Sequence, residues 1–338
     1  MMSFPSWQLI PWHERFSYWE QPAAVRQALR DMIENDAREA TTNQTTTLKQ
    51  YIDHPDTLNG RIVNSDTIPN LLPSFRINPT QCWEAIEDPE CGALIYIHKL
   101  SKLIRDNALS TSNNGPALMF VGGQSSGSST GAAALGWSFD VVFDAPHADL
   151  DEALFIASRI QKEKCEIHLV YVDRDPISAM KAMLARSERT GRYIPLSRMA
   201  HAHASAPHTF IKLIELLPIA VKPYHIQLGD AINSSMLSND EAIDSIINRK
   251  KPTESEVYYK LQTAYLNLLR GSIQDPEAWY PRDVLAGLNR TLDPWRRLEA
   301  DHLLRRRVEA MAQRSAEGAP GPRGAAPDGA GEPGPGLG

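Results

Sequence analysis

Ala117-Leu118-Met119-Phe120-Val121-Gly122-Gly123-Gln124-Ser125-Ser126-Gly127-Ser128-Ser129-Thr130 is the stretch whose reading decides how this chain folds. Its apolar first half predicts a buried strand, its Gly/Ser middle a tight turn, and the hydroxyl-bearing Ser128, Ser129 and Thr130 the first turn of a helix. A strand, turn and helix in that order aim backbone N–H groups and the positive end of a helix dipole at one point, which is how phosphates are cradled. Against the pattern GxxxxGK[ST], Gly122 and Gly127 fall on the two glycines and Ser129 on the hydroxyl that holds Mg2+. Ser128 stands where the lysine belongs. The alternative is a Gly/Ser turn with no ligand.

Downstream, strands and helices alternate. Phe139–Asp144 reads as a buried strand ending on a carboxylate, and Asp149–Lys162 as a helix with Ala153, Leu154, Ala157 and Ile160 inward. Cys165–Val172 is the next strand. Asp175-Pro176 is a helix start, cap then proline, for a helix running to Gly191. A helical region over Ser197–Leu217, interrupted near Pro207, leads to Tyr224–Leu228 as the last strand. Such alternation predicts an α/β fold, a mostly parallel sheet covered by helices.

Upstream, Leu58–Asp66 reads as a turn and a short strand that delivers Asp66 at its end. A carboxylate there lies on the edge where ligands collect in α/β sheets, or else caps the next element. Pro69, Pro73 and Pro79 predict an irregular chain up to an amphipathic helix over Cys82–Asn107. Before these come an aromatic lead-in (Trp7, Trp12, His13, Phe16, Tyr18, Trp19), a helix over Pro22–Glu39 and a polar break at Thr41–Thr47. After Ser238 only helices are predicted: Asp240–Asn248, Glu254–Arg270 and Arg282–Ala312. The residues from Glu317 to Gly338 are Gly, Pro and Ala with little else, too poor in apolar surface to offset chain entropy.

At 338 residues and 42% apolar content the chain can bury a sizeable core. A net charge of -6 argues against a nucleic-acid binder, since no cation excess exists to neutralise phosphates. Cys82, Cys91 and Cys165 form no CxxC pair and suggest neither a disulfide framework nor a cysteine zinc site, which fits a reducing cytoplasm. Neither a signal peptide nor a membrane-spanning run is read, so a soluble chain with no membrane partner is expected.

Arg186, Arg189 and Arg192 recur every third residue at the end of the helix begun by Pro176, with Arg186 and Arg189 on one face. Guanidinium groups on such a segment stabilise a transferring phosphoryl group, or simply form a solvated basic face. His201, His203 and His208, spaced two and five apart, do not share a helix face and argue against a metal site.

Taken in order, the loop Gly122–Thr130, Phe143-Asp144-Ala145, Val170-Tyr171-Val172-Asp173-Arg174-Asp175-Pro176, Arg186 and Gly191-Arg192-Tyr193-Ile194-Pro195-Leu196 resemble the zeta toxin family of phosphate-loop kinases. Asn64-Ser65-Asp66 with Leu72-Pro73-Ser74-Phe75 is similar to the family's strand-Asp-proline segment, here ahead of the loop. The likeness spans about Asn59 to Gly229. It implies a P-loop NTPase-like domain over 58–233; the ends it does not cover read as a helical N-terminal extension (1–57), a helical appendage (234–315) and a disordered tail (316–338). It implies ATP and Mg2+ as cofactors, and phosphorylation of a small-molecule hydroxyl such as that of a UDP-N-acetylamino sugar, with an antitoxin or other protein as partner. Asp66 would be the base, Arg186 and Arg192 the phosphate clamp, and Ser129 with Asp144 the metal-holding pair. Gly122, Gly123, Gln124, Ser125, Ser126, Gly127, Ser128, Ser129 and Thr130 would bind the nucleotide. The missing lysine divides the expectation between an ATP-dependent kinase using another cation and a non-catalytic relative that binds nucleotide or a partner.

Overall fold

The computed structural model describes residues 17–112, 114–217, 221–228, 234–249, 251–274, 285, 288–290, 292 and 294–317. Most of the aromatic lead-in (Trp7, Trp12, His13, Phe16), the first part of the helix expected over Arg282–Ala312 and the tail beyond Glu317 lie outside the described residues.

Among the described residues six strands form one sheet: β1 (Ile62–Val63), β2 (Ala117–Gly122), β3 (Val141–Phe143), β4 (Ile167–Arg174), β5 (Val221–Leu228) and β6 (Ser234–Ser238). Their order is β1-β3-β2-β4-β5-β6, parallel throughout except for β6, which runs antiparallel to β5. The expected α/β class with a mostly parallel, helix-covered sheet is what forms. Tyr224–Leu228 is not the last strand, however. Ser234–Ser238 has no strong strand pattern and is strand by virtue of its ladder to β5, a tertiary contact that propensity does not report.

Every residue of the central strand β2 is buried, and its side chains alternate between the two faces as a pleated strand requires. Leu118 and Phe120 pack beside Ala132 of α7 (Ser128–Leu135, numbered below with the other helices). Met119 and Val121 join Ala153, Ile156 and Ile160 and also Ala202, Ala206 and Phe210 on the opposite face.

In chain order the helices are α1 (Ala23–Thr42), α2 (Gln44–Ile52), α3 (Thr67–Leu71), α4 (Pro73–Ile77), α5 (Pro79–Ile86), α6 (Ala93–Thr111), α7, α8 (Leu150–Lys162), α9 (Pro176–Thr190), α10 (Leu196–Leu216), α11 (Asn239–Ile247), α12 (Glu254–Gln274) and α13 (Pro294–Glu317). The prolines upstream of β2 do not leave the chain irregular. Pro73 and Pro79 each open a helix, where the missing N–H is no loss. The helix expected over Cys82–Asn107 is two, α5 and α6, parted by the turn around Asp88, Pro89 and Gly92. The polar stretch Thr41–Thr47 breaks helix only at Asn43. Helix α10 runs unbroken through Pro207, which leaves the carbonyl of His203 without its helical donor.

Two further cores flank the sheet. One joins α1 (Leu29, Ile33, Ala37) to Phe75, Ala85, Ile97 and Leu100. The other joins Met180, Met183 and Leu184 of α9 and Ile194, Leu196 and Met199 to Val257, Leu261, Tyr265, Ala300 and Leu303 of α12 and α13. Among the described residues no helix is long and apolar enough to cross a membrane.

Candidate functional site

Because β1 to β5 run parallel, their C-terminal ends open on one edge of the sheet. The loop that leaves β2 there is held by hydrogen bonds of its own backbone: Gly122 N–H donates to the Pro146 carbonyl at 2.7 Å and Ser126 N–H to that of Gly123 at 3.1 Å. Ser125 (φ 60°) and Gly127 (φ 114°) are left-handed, which turns successive N–H groups to the same side before α7 begins. A side chain on Gly122 would collide with the Ser126 hydroxyl and the Val172 carbonyl, each 2.7 Å from its Cβ. On Gly123 it would strike the His203 ring.

His203, one turn before Pro207 on α10, is the back wall of the loop. Its Nε2 lies 3.0 Å from the Gln124 carbonyl, so the ring donates there in its Nε2–H tautomer. Burial pushes its pKa down to about 4, leaving it neutral. His201 instead pairs with Glu254 at 3.0 Å on the surface, so these histidines do not converge.

The ends of β1 and β3 bring two carboxylates to the same edge. Asp144, just after β3, is 5% exposed; its Oδ2 accepts from Asn64 Nδ2 at 2.7 Å. The Ser129 and Ser128 hydroxyls and the Arg186 guanidinium lie near enough to favour its ionised form, but burial dominates and raises its pKa above the usual carboxylate value. Its Oδ1 is buried with no partner in hydrogen-bonding geometry. An orphaned carboxylate oxygen beside a serine hydroxyl is an oxygen donor set that suits Mg2+.

Asp66 sits at the N-cap position of α3, yet its side chain caps nothing. It pairs with Arg192 instead, across 126 residues of sequence. Asn64 links the two aspartates, since its Oδ1 accepts the Asp66 backbone N–H at 2.8 Å while its Nδ2 donates to the Asp144 carboxylate. Tyr51 fixes Asn64 in turn, accepting its N–H at 2.8 Å.

Arg192 belongs to the segment 191–195 between α9 and α10, here termed the lid. Gly191 ends α9 at φ 66°, and the Arg192 guanidinium lies over the Trp83 ring, 4.5 Å from its centroid. Burial lowers its pKa to about 10, with Arg198 adding to the effect, so it stays cationic at neutral pH. One cleft of about 340 Å3 is lined by Asn64, Asp66, Trp83, Ser129, Asp144, Arg186 and Arg192. A larger one of about 950 Å3 shares Asp66, Trp83 and Arg192 and continues past Lys102, Arg105 and Arg198. On the far side of the loop, Gly123, His203, Arg174, Arg249 and Lys251 line a third of about 400 Å3.

No known protein family matches the chain, and no curated protein matches it. The site therefore rests on its own geometry. Residues read separately along the sequence, Asp66, Ser129, Asp144, Arg186 and Arg192, line one cleft; the side chain of Arg189 lies outside the described residues. Sequence reasoning misses Trp83 and gives neither Asn64 nor His203 a role in the site. The Asn64-Ser65-Asp66 run offered the one available signal, a second polar side chain at a strand end.

Proposed function

We propose that the chain is a P-loop phosphotransferase of the zeta toxin kind, which moves the terminal phosphoryl group of ATP to a hydroxyl of a small molecule. The observation that carries this reading is the gathering of Asp66, Ser129, Asp144, Arg186 and Arg192 on one cleft beside the Gly122–Gly127 loop. Loop N–H groups and the start of α7 would hold the phosphates. Ser129 and Asp144 would hold Mg2+, which supplies positive charge to the phosphate oxygens.

The substrate would enter through the larger cleft and direct its hydroxyl to Asp66. As the hydroxyl oxygen bonds to the γ-phosphorus and the bond to the β-phosphate oxygen breaks, Asp66 takes the hydroxyl proton. Arg192 orients Asp66 and stabilises the charge of the moving group. Arg186, close enough to Asp144 to affect its ionisation, takes the part of the absent lysine.

Ser128 favours a second reading, a protein that binds nucleotide without transferring phosphate, because losing a phosphate-clamping charge costs several kcal/mol of transition-state stabilisation. Turnover of ATP with nucleotide sugars and other hydroxyl acceptors separates the two. The kinase reading expects turnover in the native chain that falls at least a hundredfold in Asp66→Asn with ATP affinity kept. ATP binding by Ser128→Lys alone would sink it.

A further inference from the structure

We propose that Glu84 is a positioning residue through which Ser17–Tyr18 and Arg290 set the lid and keep Arg192 over Asp66. The coupling stands on geometry and packing; only its effect on turnover rests on the kinase reading.

Glu84 lies on α5, one residue after the tryptophan that carries Arg192, and is 1% exposed. Its Oε2 accepts the Tyr18 N–H at 2.6 Å. Its Oε1 accepts from the Tyr193 hydroxyl at 3.1 Å and from Arg290 Nη2 at 2.6 Å. The other Arg290 arm donates to Ser17 Oγ at 2.7 Å. One carboxylate thus ties together Tyr18, the lid and Arg290 ahead of α13, three segments far apart in sequence.

Burying a carboxylate is costly unless it is paired and hydrogen-bonded, and Arg290 pairs with Glu84. Glu84, Arg192 and Arg198 line the same cavity. Without Arg290, Glu84 would lose that ion pair and its carboxylate would compete with Asp66 for Arg192.

Packing supports the same coupling. Tyr193, Ile194 and Leu196 share a core with Val257, Leu261, Tyr265 and Leu288, so the lid rests on the C-terminal appendage. On its other side, the Gly191 turn abuts the start of α5, where an added Cβ would meet the Thr80 backbone nitrogen at 2.7 Å. The lid is gripped between α5 and the appendage, with Glu84 joining the two.

The test is hydrogen–deuterium exchange on the full chain, without nucleotide, in Arg290→Met, Glu84→Gln and Tyr193→Phe. Each is expected to speed exchange of the amides at 192–194 at least tenfold, while those of β2 stay within twofold of native and Arg290→Lys restores most of the protection. Tyr193→Phe removes a single hydroxyl and keeps the test decisive if a charge variant does not fold. Unchanged exchange in the lid, or lid and β2 amides rising together as in a general loss of stability, would overturn the proposal. In a second arm, Arg290→Met is expected to lower kcat at least tenfold with KM for ATP unchanged. A native chain without turnover would defeat the kinase reading, while the exchange result still decides the coupling.

Discussion

At position 123 a single methyl group is enough to test the loop. Its Cβ would occupy the space of the His203 ring, and overpacking of this kind costs about 1–3 kcal/mol. Gly123→Ala should lower stability by about that amount and weaken ATP-analogue binding at least tenfold by calorimetry. Removing the ring in Gly123→Ala with His203→Ala should restore part of the stability, a coupling that a double-mutant cycle reads directly. At this scale the sequence was informative where chemistry and backbone coincide: glycines mark the turn, and Asp66 and Asp144 stand at strand ends. It was silent about partners. Nothing local ties Asp66 to Arg192 or Asn64 to Asp144, since both pairs exist only once the strands are side by side. Sequence alone leaves Asp66 as either a helix cap or a group on the ligand edge, and the pairing with Arg192 draws its carboxylate away from the cap.

Elements were legible to the extent that their periodicity was local. Helix α9 follows its signals: Asp175 Oδ2 accepts from the N–H groups of Ile177 and Ser178, and Gly191 closes the helix. Prolines misled because the same residue ends one helix and opens another, and only neighbours in space decide which. Gly191 makes the lid testable as an element. Its positive φ and its contact with Thr80 both oppose a side chain, so Gly191→Ala should cost about 1–2 kcal/mol in urea unfolding. It should also loosen the grip of Arg192 on Asp66, visible as faster exchange at 192–194. A stability unchanged from native would show that the turn tolerates a side chain and that the lid is not held there.

Across the whole molecule, buried histidines impose a pH dependence. Burial pushes both His147 and His203 down to about 4 from an ordinary value of 6.5. Below pH 6.5 the unfolded chain takes up protons that the folded chain refuses until about pH 4, so stability falls as pH falls through that window. At pH 5 the loss is about 2 kcal/mol for each histidine, by the usual free energy per unit of pKa shift. Urea midpoints measured from pH 7.5 to 5 should decline accordingly, and His203→Gln should flatten the slope. A midpoint independent of pH would mean that these rings are hydrated or paired in the folded state.

The sheet order has a consequence in time as well as in space. Strand β1 is made early, but among the described strands it pairs with β3 alone, and Ile62 meets Val142 about 80 residues later. On a ribosome that interval is roughly 4 to 16 s at ordinary synthesis rates. During it, the strand that precedes Asp66 has no partner in the sheet. Arg192 is made later still, so the residues of the loop from Gly122 to Gly127 are synthesised well before the chain can form the cleft. The candidate base and the guanidinium beside it are among the last parts of the site to assemble.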